Sequence, residues 1–224
     1  LKYSVITFGC RVNQADSLGF EEGLLARGAV AVAPEHADLV VVNTCSVTAT
    51  ADQGARQTIR RVARENPAAR IVVTGCYATR RPEDVSDLPN VVRVVSNDDK
   101  PQMLSLVFAE ERTTTAVRFG AGEGSCGAVV APGVAGRTAF TLRVQTGCAQ
   151  TCSYCIIPST RGRPRSLGVE SVKAEIDRVV AAGFREIALT GVHLGSYGRD
   201  LLPSSSLVEL LRAVRLKADA THDD

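Results

Sequence analysis

The sequence predicts an α/β protein: a doubly wound parallel-sheet domain followed by the start of a (β/α) barrel. Three observations carry this. Short apolar runs alternate with helical stretches between residues 2 and 108, the rhythm of βαβ units. The runs at Leu39–Asn43 and Ile71–Thr74 are almost continuous in β-branched residues, as in parallel strands covered on both faces. After a glycine-rich break the alternation resumes.

Lys2–Phe8 reads as the first strand, Asn13–Arg27 as a helix stopped near Gly28, and Ala29–Ala33 as a short strand. Leu39–Asn43 follows. Ala49–Glu65 is a helix with Ile59, Val62 and Ala63 on one face and Pro67 just past its end. Ile71–Thr74 is the next strand, Arg81–Leu88 a weaker helix, Val91–Val95 a strand and Gln102–Phe108 a short helix. Such a doubly wound sheet binds ligands at the carboxyl edge of its strands.

Residues 120–136 place Gly120, Gly122, Gly124, Gly127, Gly133 and Gly136 among alanines and Pro132, the composition of a flexible linker. The expected division is therefore 1–119, linker 120–136, and 137–224. In the last part, Arg137–Gln145 alternates as a strand and Val169–Ala182 is an amphipathic helix stopped by Gly183. Glu186–Thr190 is a strand and Ser206–Leu216 a helix. Two βα units cannot close a barrel, which takes roughly 250 residues. The polar tail Lys217–Asp224 does not read as a further strand. The expectation is a fragment of a longer enzyme or a truncated product.

Bulk composition narrows the class. The chain is 45% hydrophobic and 22% charged, ordinary for a globular protein, and its net charge of +2 makes no whole-chain case for nucleic-acid binding. No apolar run nears the ~20 residues of a membrane span, and no secretory signal is visible at the start. The expected setting is the cytoplasm, without a membrane partner. Seven cysteines, an odd number, favour metal ligation or catalysis over a disulfide framework.

Six of those cysteines form two sets. Cys148, Cys152 and Cys155 sit on one loop with the spacing Cx3Cx2C. Three thiolates can hold three irons of a [4Fe–4S] cluster, which normally takes a cysteine at each iron. The fourth iron is then open to a small molecule. A zinc site is the rival reading, but structural zinc wants four ligands, and only Cys126 or His193 stand as recruits. The other set, Cys10, Cys45 and Cys76, is scattered in sequence yet equivalent in position. Each follows a predicted strand, in Phe8-Gly9-Cys10, Asn43-Thr44-Cys45 and Thr74-Gly75-Cys76. Parallel strands bring those ends to one edge, which makes a second open-iron cluster the sharper reading. The bland one is three buried cysteines used as small hydrophobes.

Two such triads in this order resemble the radical S-adenosylmethionine methylthiotransferases. The carriers are Gly9-Cys10-Arg11-Val12-Asn13, Asn43-Thr44-Cys45, Thr74-Gly75-Cys76 and the stretch from Gly147-Cys148 to Ser166. Cys152-Ser-Tyr-Cys155-Ile-Ile-Pro158, Arg161-Gly-Arg-Pro-Arg165-Ser166 and Leu189-Thr-Gly191-Val-His193-Leu-Gly195-Ser-Tyr197-Gly198 are most similar to the branch acting on threonylcarbamoyladenosine in tRNA. The resemblance implies two [4Fe–4S] clusters and S-adenosylmethionine. The cluster at Cys148, Cys152 and Cys155 would bind S-adenosylmethionine and yield a 5′-deoxyadenosyl radical. The one at Cys10, Cys45 and Cys76 would carry the sulfur that is methylated and moved to carbon 2 of the adenine. The implied partners are the tRNA anticodon loop and an electron donor such as flavodoxin or ferredoxin. Substrate alternatives are isopentenyladenosine in tRNA and a ribosomal-protein aspartate; a non-catalytic iron–sulfur-binding fragment is a further reading. Family members continue through the rest of the barrel and usually a small tRNA-binding β-barrel.

Further residues have two readings each. Tyr154 packs beside cluster and adenine or only stabilises the loop. Gly191 lies near the methionine amino group or is an ordinary βα turn glycine. Arg161, Arg163 and Arg165 contact the methionine carboxylate or tRNA phosphates, or form a solvated loop. His193 is expected to be a structural hydrogen-bonding group, and Cys126 a free thiol.

Overall fold

The computed structural model describes residues 1–46, 48–108 and 139–219, the last five by backbone alone. The linker expectation at 120–136, with Cys126, lies outside the described residues, as does the end of the tail. The chain divides into two compact units. The described part of the first is 1–46 and 48–108 together with Ser159–Arg161; that of the second is 139–158 and 162–219.

In the first unit the order is β1 (Lys2–Thr7), α1 (Arg11–Leu25), β2 (Val30–Ala31), β3 (Leu39–Thr44), α2 (Ala49–Glu65), β4 (Arg70–Gly75), α3 (Cys76–Arg80), α4 (Glu83–Ser86), β5 (Val91–Val95) and α5 (Met103–Phe108). The five strands are all parallel, in the order β2-β1-β3-β4-β5. That order reverses between β1 and β3, the switch point where doubly wound folds bind ligands.

Every residue of β3 is buried, and alternate side chains enter two cores. Val40 and Val42, with Ile71 and Val73, pack against Ala55, Ile59 and Val62 of α2. Leu39, Val41 and Val72 pack against Phe20 and Leu24 of α1 and Met103 of α5. Burial on both faces explains why β3 and β4 read as unbroken apolar runs. Each buried valine or isoleucine contributes about 1.5–3 kcal/mol.

Helix α2 starts at Ala49, where the Thr48 hydroxyl accepts the Ala51 N–H at 3.2 Å, an N-cap. The expected helix over Arg81–Leu88 shrinks to the four residues of α4, and a helix begins earlier, directly at Cys76.

In the second unit, β6 (Ala139–Thr146) pairs in parallel with β8 (Glu186–Gly191). α7 (Val169–Ala181) joins them by way of α6 (Ile157–Arg161) and β7 (Arg165–Ser166). The two residues of β7 add an antiparallel edge to β6 that the sequence pattern does not reveal. Phe140, Leu142, Val144, Val172, Val179, Phe184 and Leu210 are buried, and Phe140 meets Phe184 edge-on at 5.5 Å. α8 (Leu207–Asp219) runs past Lys217, so the start of the polar tail is helical.

Candidate metal centres

The first centre follows from sheet order. β1, β3 and β4 are neighbours, and Cys10, Cys45 and Cys76 stand just past their carboxyl ends. Register brings Thr7 opposite Asn43, and Thr44 opposite Gly75, so the three cysteine positions are adjacent along one edge. Two glycines make the approach close. Gly9 has φ +92°, and a Cβ there would strike the Cβ and Sγ of Cys45. Gly75 has φ +101°, and a Cβ there would strike the backbone of Thr44. Only glycine takes such backbone angles readily. Cys45 and Cys76 are buried, Cys10 is exposed, and none of the three is in a disulfide.

Beneath these thiols lies a buried polar layer. Lys100 Nζ donates to Asp16 Oδ2 at 2.7 Å and Asn43 Oδ1 at 3.0 Å. Arg161 Nη2 donates to Asn13 Oδ1 at 2.5 Å and lies 3.3 Å from Asp16 Oδ2. Asn13 donates in turn to Phe8 O and Thr44 O, the backbone on either side of the switch point. Asn97 Nδ2 donates to Cys76 Sγ at 3.6 Å. Burial alone would raise the Cys76 thiol. The Arg161 and Lys100 charges and hydrogen bonds from Asn97 and Arg161 outweigh it, so its pKa lies below the ordinary 9.0. Lys100 is pushed well below the ordinary lysine value, by burial first and by Arg161 second; Cys76 and Cys10 push it back. The Arg161 and Lys100 charges that act on Cys76 leave this layer suited to an anionic group at the cysteines.

The second centre is the loop after β6. Cys148 N–H donates to Gly162 O at 3.0 Å, Cys155 N–H to Cys152 O at 3.1 Å, and Gln150 N–H to Cys148 Sγ at 3.4 Å. Cys152 is exposed and the other two are half-buried. Gln145, fully buried, ties the loop to its scaffold. Its Nε2 donates to Thr146 O and Gly147 O, and its Oε1 accepts the His193 N–H at 2.9 Å. One side chain thus joins the end of β6, the first turn of the cysteine loop and the second residue after β8. Gln145→Leu keeps most of the volume and strips those partners. The expected loss is about 2 kcal/mol or more, since unsatisfied buried polar groups cost 1–3 each. A lower urea midpoint and faster exchange of the His193 amide would show it.

Of the remaining candidates, Arg165 and Gly191 flank the end of β6, opposite Thr146 and Gln145. Tyr154 is 88% exposed. A Cβ on Gly191 would press on Leu194 and Gln145, so the position accepts no side chain without movement. Arg165 is half-buried on β7 and Arg163 is exposed. Arg161 is only 3% exposed, which corrects the reading of a solvated arginine loop. His193 is exposed and uses its backbone for the hydrogen bonds it makes.

Asp16, Asn43, Asn97, Lys100 and Gln145 were not among the sequence candidates. A signal for one of them, Asp16, was present. Asn13, Asp16 and Ser17 share the stripe of α1 that continues through Phe20 and Leu24, and polar residues on an apolar stripe mark a buried network.

Among the described residues, no three His, Cys, Asp or Glu side chains gather as ligands of a single ion. Zinc ligands must meet at one point, whereas the thiolates of an iron–sulfur cube bind separate irons. Thiolates alone, glycine-backed and facing buried cations, fit the cube at the first centre. Three thiolates on one hydrogen-bonded loop fit it at the second.

The sequence comparisons agree with this architecture. Residues 2–97 match the model of the Uncharacterized protein family UPF0004, and residues 142–218 that of the Radical SAM superfamily. Threonylcarbamoyladenosine tRNA methylthiotransferase MtaB from Bacillus subtilis is 37% identical, over 87% of this chain and 44% of its own length. These matches support membership of the radical SAM methylthiotransferase family.

Relatives in that family with other names lie close behind. Ribosomal protein uS12 methylthiotransferase RimO from Chloroflexus aurantiacus is 34% identical, over 94% of this chain and 50% of its own length. The tRNA-2-methylthio-N(6)-dimethylallyladenosine synthase of the same organism is also 34% identical, over 95% of this chain and 45% of its own. The chain spans about half the length of the curated relatives it matches. Among solved structures, the radical S-adenosylmethionine methyltransferase TsrM from Kitasatospora setae superposes with a TM-score of 0.53 at 16% identity. That match covers 100% of this chain and 52% of TsrM, and it speaks to fold alone. No helix among the described residues is long and apolar enough to cross a membrane.

Proposed function

We propose that this chain carries the two iron–sulfur sites of a tRNA-modifying methylthiotransferase, one that adds a methylthio group to carbon 2 of threonylcarbamoyladenosine beside the anticodon. The observation that carries the reading is the pair of cysteine triads, one at the switch point of a parallel sheet and one on the loop after β6. An aromatic C–H resists ordinary acid–base catalysis, so its sulfuration needs a radical initiator kept apart from the sulfur donor. When bound, the clusters and S-adenosylmethionine supply one-electron cleavage of a sulfonium and a transferable sulfur.

The chain's own residues hold and orient. Cys148, Cys152 and Cys155 hold the radical cluster, on a loop that Gln145 fastens to β6 and β8. Gly191 offers backbone at the end of β8 to the methionine part of the cofactor. Arg165 supplies a guanidinium for a carboxylate, and Tyr154 an exposed ring for the adenine. Cys10, Cys45 and Cys76 hold the sulfur-donating cluster, and Lys100 and Arg161 offset its negative charge. The partners are the tRNA anticodon loop and an electron donor such as flavodoxin or ferredoxin, and the setting is the cytoplasm.

A second reading keeps the chemistry and changes the acceptor to isopentenyladenosine or a ribosomal-protein aspartate. Relatives named for dimethylallyladenosine and for ribosomal protein uS12 match at 34% identity, which favours keeping it.

Mass spectrometry of tRNA nucleosides from cells lacking the gene tests the substrate. The methylthio mark on threonylcarbamoyladenosine is expected to vanish; its persistence would refute that choice. Anaerobic reconstitution tests the sites. The parent is expected to take up roughly eight irons per chain, four per cluster. Changing either triad to alanine should remove about half, and changing both should remove all.

A further inference from the structure

Asn97 stands two residues past β5, at the same sheet edge as the first cysteine triad. It is 8% exposed and held at two points. Its backbone N–H donates to Thr79 Oγ1 at 2.8 Å, and the Thr79 hydroxyl donates to Gly75 O at 2.8 Å. Its side-chain Nδ2 donates to Thr160 O at 2.8 Å and to Cys76 Sγ at 3.6 Å. The amide cannot be turned over: a flip would set its oxygen against the Thr160 carbonyl, two acceptors face to face. Asn97 Oδ1 is left buried with no hydrogen-bond partner. A fold chosen for stability alone would avoid that cost of about 1–3 kcal/mol, and native proteins tend to keep such groups where they have a task. Three residues on, Lys100 brings its ammonium into the same layer, close enough to Cys76 and Cys10 to act on both electrostatically.

Hydrogen bonds to ligating sulfurs and the local charge set the potential of iron–sulfur groups. An N–H on a thiolate draws electron density from it and favours the reduced, more negative state. We propose that Asn97 is a positioning residue of the sulfur-donating centre: its amide N–H fixes the Cys76 sulfur and raises the reduction potential of the cluster that Cys10, Cys45 and Cys76 would hold. This rests on the two-cluster reading above and adds a residue and a role to it.

The test uses the full chain with Cys148, Cys152 and Cys155 changed to alanine, reconstituted anaerobically with ferrous iron and sulfide, so that only the first centre can load. Asn97→Asp and Asn97→Leu are compared with that parent by iron and sulfide content, by an EPR-monitored redox titration and by thermal melting. Both variants are expected to load and to show a more negative midpoint potential. Loss of iron in both at an unchanged melting temperature would equally support a positioning role. A parental potential in loaded variants would overturn the inference while sparing the two-cluster reading. Iron loss together with a collapsed melting temperature would overturn it too, by making Asn97 a fold residue. If the parent itself takes up no iron, the two-cluster reading fails and the inference falls with it.

Discussion

Asp16→Ala is expected to lower stability by about 3–5 kcal/mol, the cost of removing one partner from a buried ion pair. Its carboxylate receives Lys100 at 2.7 Å and Arg161 at 3.3 Å, and all three side chains are at most 6% exposed. Without it, both buried cations lose the carboxylate they share. Arg161 cannot shed its proton, but Lys100 can, because burial and Arg161 already push it well below the ordinary 10.5. The sign of the pH dependence follows. A lysine with a depressed folded pKa binds fewer protons folded than unfolded, so stability rises with pH and is complete above the unfolded value. It is lost as pH falls through the depressed value. The penalty of Asp16→Ala should therefore shrink as pH climbs towards 10.5. Cys76 is depressed too and acts with the same sign, so the quantity to follow is the difference between variant and parent in urea midpoint at each pH. A difference below about 1 kcal/mol, or one that widens with pH, would contradict the buried-pair account. Replacing both partners with apolar residues, as in Asp16→Leu with Lys100→Met, should recover part of the loss.

Gly75→Ala is the second large effect, and it strikes the metal centre as well as the fold. Gly75 has φ +101° and ψ −172°, a region nearly reserved for glycine that costs other residues about 1–3 kcal/mol. The new methyl would also run into the Thr44 carbonyl and amide and lie 2.9 Å from Asn43 Oδ1. Those atoms belong to the central strand β3 and have nowhere to go, so overpacking adds about 1–3 kcal/mol. Relief can come only by moving β4's end, and Cys76 is the next residue. The variant should load the second centre alone, with roughly half the parental iron, and melt early. Gly28→Ala is the control. It too has positive φ, +72°, but a Cβ there meets nothing within 4 Å. It should cost about 1 kcal/mol and leave the iron unchanged.

The parts of the fold legible in the sequence are those that local pattern encodes. β3 and β4 show as β-branched runs because they are buried on both faces, and α2 matches its expected ends through its Thr48 cap and Ile59–Val62–Ala63 face. α3 escaped because Cys76-Tyr-Ala-Thr-Arg80 is too short to show a period, and β7 because two residues carry no alternation. The cysteines of both centres could be singled out, since spacing and strand-end position are properties of the chain itself. The groups beneath them could not.

Sequence alone settled the parallel α/β class and the position of three cysteines past three strands, because hydrophobic period and chain order are local quantities. Tertiary structure alone decided which charges are buried. Asp16 meets Lys100 across 84 positions and Arg161 across 145, and read singly each looks like an ordinary surface residue. Burial depends on what the rest of the chain lays over a side chain, and a one-dimensional pattern does not record that.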